Sequence, residues 1–260
     1  MQKNNHLNIF SLSSTALLVA ISIVLGRLAT LYIPLFGFPA VRFSVTNIPI
    51  FIAGALFGGV YGAIAGFLSD IINFILTGGA NGGYHFGFTL NAILIGLIPG
   101  IFFAKFRKSK KPMSYFMVNS VFSILAMVGA IIYINFIGIK ELENMEQIWG
   151  LESPLFLSMI MIVLVVLLNG VNYVLQKKFS DKDHIYAIDK IIFVSIISFI
   201  IVQLVLTPIW VKDLYNIPII TSIMVRLFKC MIDIPLQVAA IYTILKAIPY
   251  KIKGKNICKA

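Results

Sequence analysis

Long apolar runs alternate with short polar segments along the whole chain. A helix needs about 20 apolar residues to cross a hydrocarbon core of about 30 Å, and several of the runs are close to that length. The alternating segments of about ten residues that build a transmembrane β-barrel do not occur. The pattern therefore predicts an all-α, polytopic transmembrane helical bundle. We place eight spans at 11–31, 47–58, 60–76, 88–105, 113–138, 154–176, 188–211 and 217–247.

Composition agrees with a single integral membrane domain over residues 1–260. Hydrophobic residues make up 59% of the chain and charged residues only 12%. No small-residue cleavage site closes the first apolar run, so we interpret it as a spanning helix and not as a cleaved signal peptide. The second and third spans are short and meet at Gly58-Gly59, which predicts a tight helical hairpin.

The distribution of charge predicts the orientation in the membrane. With the N-terminus in the cytoplasm, fifteen of the 21 Lys and Arg residues fall in inner segments. The outer loop 139–153 then holds four glutamates against Lys140 alone. The positive-inside rule favours this orientation, and an even number of spans puts both termini in the cytoplasm. The net charge of +11 thus indicates orientation and contact with the lipid bilayer, and no aromatic-interleaved basic stripe indicates nucleic acid.

Three predicted outer segments could converge over the ends of the helices. The first, 29–47, contains Pro34, Gly37 and Pro39, which make a helix unfavourable there. The second is the glycine-rich part of "ILTGGANGGYHFGFTLNAILIG", which spans 75–96. Glycines suit a backbone that bends or moves over a small molecule, so we expect this stretch to form part of a gate. The third is the turn "DLYNIP" at 213–218.

Charged side chains inside the spans have two explanations. A charge in mid-membrane costs about 2.5–3.5 kcal/mol on insertion scales, so it usually faces the protein interior. One explanation is mutual pairing, of Lys229 with Asp233 at i and i+4 and of Arg226 with Asp70 across helices. Arg27, near the outer end of the first span, could instead be a snorkelling anchor.

The other explanation is a ligand site that opens to the outside. A carboxylate accepts two parallel N–H bonds and suits an aminopyrimidine edge, whereas guanidinium suits a ligand's carboxylates. The candidates are Asp70, Asn73 and Asn91 for hydrogen bonds, Tyr84, His85, Phe86 and Phe88 for stacking, and Arg27, Arg42 and Arg226 for anions.

Motifs for catalysis and for tightly held cofactors are missing from the sequence. There is no GxxxxGK[ST] phosphate loop, no GxSxG and no Asp-rich magnesium pair. The three histidines fall in different compartments, and the two cysteines, Cys230 and Cys258, are far apart. We therefore expect no enzymatic activity, no metal and no cofactor.

Small residues four apart stand on the first span. Ala16 and Ala20 form an AxxxA pattern, which allows another helix to approach closely. The approaching helix could belong to this chain or to a partner.

Several stretches resemble a known family. These are "RFSVTNIPIFIAGALFGGVYGAIAGFLSDIINFIL", "GFTLNAILIGLIPGIFFAK" with its Gly-Phe-Thr-Leu run at 87–90, and the late run from Arg226 to Pro235. Together they are similar to the folate family of substrate-binding S components of energy-coupling-factor (ECF) vitamin transporters. Phe86 stands where that family often has proline.

The resemblance implies a six-helix core at 11–106 and 188–247, with an inserted helix pair at 113–176. It also implies a bacterial plasma-membrane subunit that captures folate or a related pterin outside the cell. Such a subunit works with a transmembrane coupling protein, which the AxxxA motif would contact, and with two ATPase subunits. The three arginines would then engage the ligand's glutamate carboxylates.

Other functions stay open from the sequence alone. The same architecture could serve another vitamin or metabolite. A standalone secondary transporter could use Asp70 or Asp233 as its proton carrier. A membrane enzyme is a further class, but no residues in the sequence form a site for it.

Overall fold

The computed structural model describes residues 9–28, 30–35, 38–77, 84–108, 115, 117–121, scattered helical positions between 124 and 177, 185–217 and 219–248. Most of the predicted inserted pair at 113–176 and both ends of the chain lie outside these residues. The same holds for the glycine segment 78–83 and the acidic loop 139–153. The prediction of eight spans and of cytoplasmic termini therefore stays a prediction.

The described part of the chain is built mainly from helices, which confirms the predicted helical bundle. They are α1 (Ile9–Leu28), α2 (Asn47–Phe57), α3 (Gly59–Thr77), α4 (Phe86–Lys108), α5 (Ile188–Ser198), α6 (Thr207–Tyr215) and α7 (Ile219–Ala247). A π-helical segment, Phe199–Leu206, joins α5 to α6 without a break. Among the described residues, α1, α3, α4 and the continuous helix over 188–215 are long and apolar enough to cross a bilayer, and α2 is a shorter apolar helix.

Within the described ranges, a two-stranded antiparallel hairpin adds to the expected helical class. Strand β1 (Thr30–Leu35) pairs with β2 (Phe38–Ser44), with Thr30 opposite Ser44 and a register shift between Ile33 and Leu35. This shift falls at Pro34, which has no N–H to give to a ladder and is tolerated at an irregularity of this kind. The sequence predicted only that this outer segment is not helical, and that expectation is confirmed.

Glycine brings α2, α3 and α4 into backbone contact. A Cβ on Gly96 would lie 2.0 Å from the Gly62 carbonyl oxygen, and one on Gly66 would lie 2.0 Å from the Ala92 carbonyl oxygen. Small residues at such positions let membrane helices approach closely. Gly58 alone separates α2 from α3, and its φ of 102° is a conformation that glycine adopts without strain. The predicted tight hairpin is therefore confirmed.

Most of the apolar core lies toward the end of the bundle opposite the β-hairpin, and it extends to Ile48 in the first turn of α2. Its fully buried side chains include Ile52 of α2, Phe103 of α4, Ile191 of α5 and Ile241 of α7. At this end, Arg107 links α4 to α2, because its guanidinium donates to the Ala55 and Leu56 carbonyl oxygens in the last turn of α2. The hairpin end, in contrast, collects polar and aromatic side chains.

Candidate functional site

The candidate residues come from helix ends that meet beside the β-hairpin. Helices α1 and α3 run toward this end, and α2, α4 and α7 begin there. Ser22 of α1 donates from its hydroxyl to the Thr46 carbonyl oxygen at 2.9 Å, which ties the end of the hairpin segment to α1. Arg27 lies exposed in the last turn of α1, and Arg42 lies on β2 opposite Tyr32.

A chain of hydrogen bonds links Tyr84, Thr89 and Asp70. The Thr89 hydroxyl donates to Asp70 Oδ2 at 2.7 Å, and the Tyr84 hydroxyl lies 2.8 Å from Thr89 Oγ1. The Tyr84 ring also stands edge-on to Phe74, with 5.2 Å between ring centroids. Asp70 is half-buried, and Tyr84 remains 47% exposed. The site therefore holds a fixed carboxylate beside an accessible aromatic ring.

A second aromatic group surrounds the start of α4. His85 Nδ1 accepts a hydrogen bond from the Gly87 N–H at 3.1 Å, and the His85 ring lies 5.5 Å from Trp210 and 5.9 Å from Phe88. A Cβ on Gly87 would lie 2.4 Å from Cδ2 of Trp210. Glycine is thus required here because the indole rests directly on the α4 backbone.

Asn91 joins α4 to α6 inside the bundle. Its amide nitrogen donates to Thr207 Oγ1 at 3.1 Å, and its amide oxygen accepts from Trp210 Nε1 at 3.3 Å. The Thr207 hydroxyl in turn donates to the Val202 carbonyl oxygen in the π-helical segment at 2.5 Å. Buried polar groups need such partners. Asn91 therefore fixes the indole next to the site.

Asn73 faces α1. Its amide nitrogen donates to the Ser69 carbonyl oxygen one turn earlier, at 2.9 Å. Its amide oxygen lies where a Cβ on Gly26 would approach to 3.1 Å. Asn73 thus belongs to the contact between α1 and α3.

Arg226 is a buried cation at this end of the bundle. It is 8% exposed, and its Nη1 donates to the Ser222 hydroxyl at 2.8 Å and to the Ser222 carbonyl oxygen at 3.2 Å. Within the described part of the chain, Nε has no hydrogen-bond partner and no carboxylate forms an ion pair with this guanidinium. The structure therefore shows no ion pair between the described residues Arg226 and Asp70.

Lys229 and Asp233 form the expected ion pair. Lys229 Nζ lies 3.0 Å from Asp233 Oδ2, and each side chain is 13% exposed. The explanation of these two charges by mutual pairing is confirmed.

The two small residues of the AxxxA motif lie on the outer face of α1. Ala16 and Ala20 are exposed, whereas the buried face of α1 carries Ser11, Thr15, Val19 and Ser22. Within the described residues, then, the motif does not serve packing against this chain's own helices.

Sequence reasoning missed Thr89, Trp210 and Ser222 as members of the site. Thr89 lies in the Gly-Phe-Thr-Leu run, so the sequence indicated the motif but not the hydrogen bond to Asp70. Trp210 carries no local signal, because its role depends on which helices pack together. Ser222 lies four residues before Arg226 on the same helix, so helical spacing could have found it. No group of His, Cys, Asp and Glu side chains in the described ranges could hold a metal ion.

Comparison with known proteins gives a family and a fold. A family model described as "ECF transporter, substrate-specific component" matches residues 11–175. The match includes most of the segment that we expected to be inserted, and the placement of the insertion stays a prediction. A solved structure described as "Crystal structure of FolT bound with folic acid" aligns with a TM-score of 0.52 at 19% identity, covering 96% of this chain and 98% of that chain. At this identity the likeness shows a shared fold. No curated protein sequence matches significantly.

Proposed function

This chain belongs to the family of ECF transporter substrate-specific components, and from this membership we propose that it captures folate or a related pterin at the outer face of a bacterial plasma membrane. It is a multi-pass membrane protein of a family of transport components, not of enzymes. The main support for a folate-like substrate is the set of side chains at the end of the bundle beside the β-hairpin. A carboxylate, several accessible or half-buried aromatic rings and a buried guanidinium lie at the same end of the bundle. The solved structure that shares the fold contains folic acid, which supports the same class of ligand.

The heterocycle would be read by Asp70 and held between aromatic rings. A carboxylate offers about four lone-pair sites, so Asp70 can accept from Thr89 and still accept N–H groups of an aminopyrimidine. Tyr84, His85 and Phe88 supply ring faces and edges for stacking. Asn73 and Asn91 bond to protein groups, so we assign them to the walls of the site, where Asn91 fixes Trp210.

The glutamate part of the ligand would lie near the arginines. A guanidinium buried without a carboxylate is costly, and a ligand carboxylate would offset that cost through charge-assisted hydrogen bonds. Arg226 is the first candidate because it is buried, and its Ser222 contacts keep the side chain in place. Arg27, exposed in the last turn of α1, and Arg42 on β2 would attract anions to the site.

Delivery into the cell would use a transmembrane coupling protein and two ATPase subunits. The exposed small residues Ala16 and Ala20 on α1 would allow a partner helix to approach closely. We propose this face of α1 as the contact with the coupling protein.

The proposal is tested first by the ligand that purifies with the protein. Mass spectrometry of protein purified from folate-fed cells should identify folate or a related pterin. Arg226→Met should weaken folate binding about 10- to 150-fold, the range for hydrogen bonds to a charged group. The same variant should change affinity for a pterin without glutamate carboxylates by less than about threefold. A different co-purified metabolite, together with no measurable folate binding, would reject the proposed substrate.

Asp70→Asn tests whether Asp70 binds the heterocycle of the ligand. This variant removes the charge and replaces one acceptor oxygen with a donor, so affinity for both folate and the shorter pterin should fall. Unchanged affinity in purified protein would remove the recognition role of Asp70.

A further inference from the structure

The hydrogen-bond chain from Tyr84 to Asp70 has a defined direction. A threonine hydroxyl carries one proton and two acceptor lone pairs. Because the Thr89 proton points to the Asp70 carboxylate, Thr89 Oγ1 can only accept from the Tyr84 hydroxyl. Bonds that run in one direction polarise and strengthen one another in a low-dielectric interior. The three side chains therefore act as one unit.

Thr89 is the member of this unit that a ligand does not reach. Its side chain is 0% exposed, whereas Tyr84 is 47% exposed and Asp70 is half-buried. Thr89 also lies in the first turn of α4, a helix held against α3 by backbone contacts at glycine. The hydroxyl is thus fixed on a rigid element and connects two groups that can both face a ligand.

We propose that Thr89 is a positioning residue that holds the Tyr84 ring over the site and orients the Asp70 carboxylate, and that it thereby sets how long the ligand stays bound. The Phe74 ring fixes the body of Tyr84, and Thr89 fixes its hydroxyl. With the hydroxyl released, the ring keeps the Phe74 contact and swings away more often. The part of this inference that concerns residence time rests on the proposed function. The part that concerns the Tyr84 ring does not.

The first experiment needs no ligand. Hydrogen–deuterium exchange is measured over residues 84–90 in the full-length protein in lipid nanodiscs, for the wild type, Thr89→Val and Thr89→Ser. Valine keeps the shape of threonine without the hydroxyl, and serine keeps the hydroxyl. Exchange should rise severalfold in Thr89→Val and stay near the wild type in Thr89→Ser. Equal exchange in all three proteins would overturn the positioning of Tyr84.

The second experiment measures folate release by stopped-flow recording of tryptophan fluorescence. Thr89→Val and Tyr84→Phe should each raise the dissociation rate about three- to tenfold, the range for one net hydrogen bond. The double variant should release folate no faster than Thr89→Val alone, because both changes remove the same bond. Thr89→Ser should restore slow release. Thr243→Val, an exposed position near the far end of α7, is the matched control and should release folate like the wild type.

The outcomes separate this inference from the proposed function. Asp70→Asn keeps an oxygen that accepts from Thr89, so it should lower folate affinity while exchange at 84–90 stays as in the wild type. If Thr89→Val lowers only the melting temperature and leaves folate release unchanged, Thr89 has a merely structural role and the inference is wrong. If the wild type binds no folate, the proposed substrate fails, and the exchange experiment alone decides whether Thr89 holds Tyr84.

Discussion

Gly96→Ala should strongly weaken the packing of α4 on α3. The new Cβ would lie 2.0 Å from the Gly62 carbonyl oxygen and 2.9 Å from Gly62 Cα, whereas real Cβ atoms keep at least 3.0 Å from such atoms. The obstructing atoms belong to backbone, so no rotamer change relieves the contact. The two helices must therefore move apart locally by about 1 Å.

The loss of stability in Gly96→Ala follows from that movement of the two helices. A gap of about 0.5–1 Å already loses about a quarter to a half of the dispersion energy of a contact. The loss of dispersion energy spreads along the contact between α3 and α4, because Gly66 and Ala92 are in equally close contact one turn away. Overpacking costs about 1–3 kcal/mol, and a rigid backbone neighbour places this case at the upper end. At about 2–4 °C per kcal/mol for a chain of this size, a loss of about 2–3 kcal/mol should lower the melting temperature by about 4–12 °C.

The assay is thermal unfolding of purified protein followed by intrinsic fluorescence. Gly170→Ala is the matched control, since Gly170 has helical backbone, is exposed and would have nothing within 4 Å of its new Cβ. Its melting temperature should stay the same or rise slightly, because alanine favours helix by up to about 1 kcal/mol over glycine. A Gly96→Ala melting temperature within 2 °C of the wild type, or an equal drop in Gly170→Ala, would refute the account of this contact.

Three further predictions follow from other contacts. Ala20→Trp should leave folate binding by the isolated subunit unchanged and should abolish uptake in cells that carry the coupling protein and the ATPases. The control Ala239→Trp, on the exposed face of α7, should leave both binding and uptake unchanged. Equal uptake in the two variants would exclude the α1 face as the contact. Gly87→Ala should displace the Trp210 indole, shift its fluorescence emission and weaken folate binding, and an unchanged spectrum would contradict the close contact. Lys229→Met or Asp233→Leu alone should destabilise the protein by up to about 3 kcal/mol, because each variant removes one partner of a largely desolvated ion pair, and the double variant should recover most of that loss. Uptake that needs Asp233 and a proton gradient but no ATPase would instead favour a secondary transporter.

Helix positions in the described part of the chain were largely predictable because the length of an apolar run is a local property. The runs at 60–76, 88–105 and 217–247 correspond to Gly59–Thr77, Phe86–Lys108 and Ile219–Ala247. The β-hairpin was not predicted, since two prolines hide its strand pattern. Its pairing depends on a register shift that no local composition indicates.

The charges of α7 show where local reasoning ends. Lys229 and Asp233 are four residues apart on one helix, so helical geometry alone brings them together, and the sequence predicted the pair. The possible pairing of Arg226 with Asp70 depends on the relative placement of α3 and α7. The structure gives Arg226 a partner on its own helix, Ser222, and gives Asp70 a partner on α4.

By itself, the sequence determined that this protein is a helical membrane protein, and it predicted which stretches cross the membrane and which residue types a ligand site would use. These properties depend on composition and on neighbours within one or two helical turns. Only the tertiary structure decided which side chains from different helices meet inside the site. Asn91 meets Thr207 across 116 positions, and Thr89 meets Asp70 across 19. A buried polar group bonds to whatever partner packing places beside it, and that packing is a property of the whole bundle.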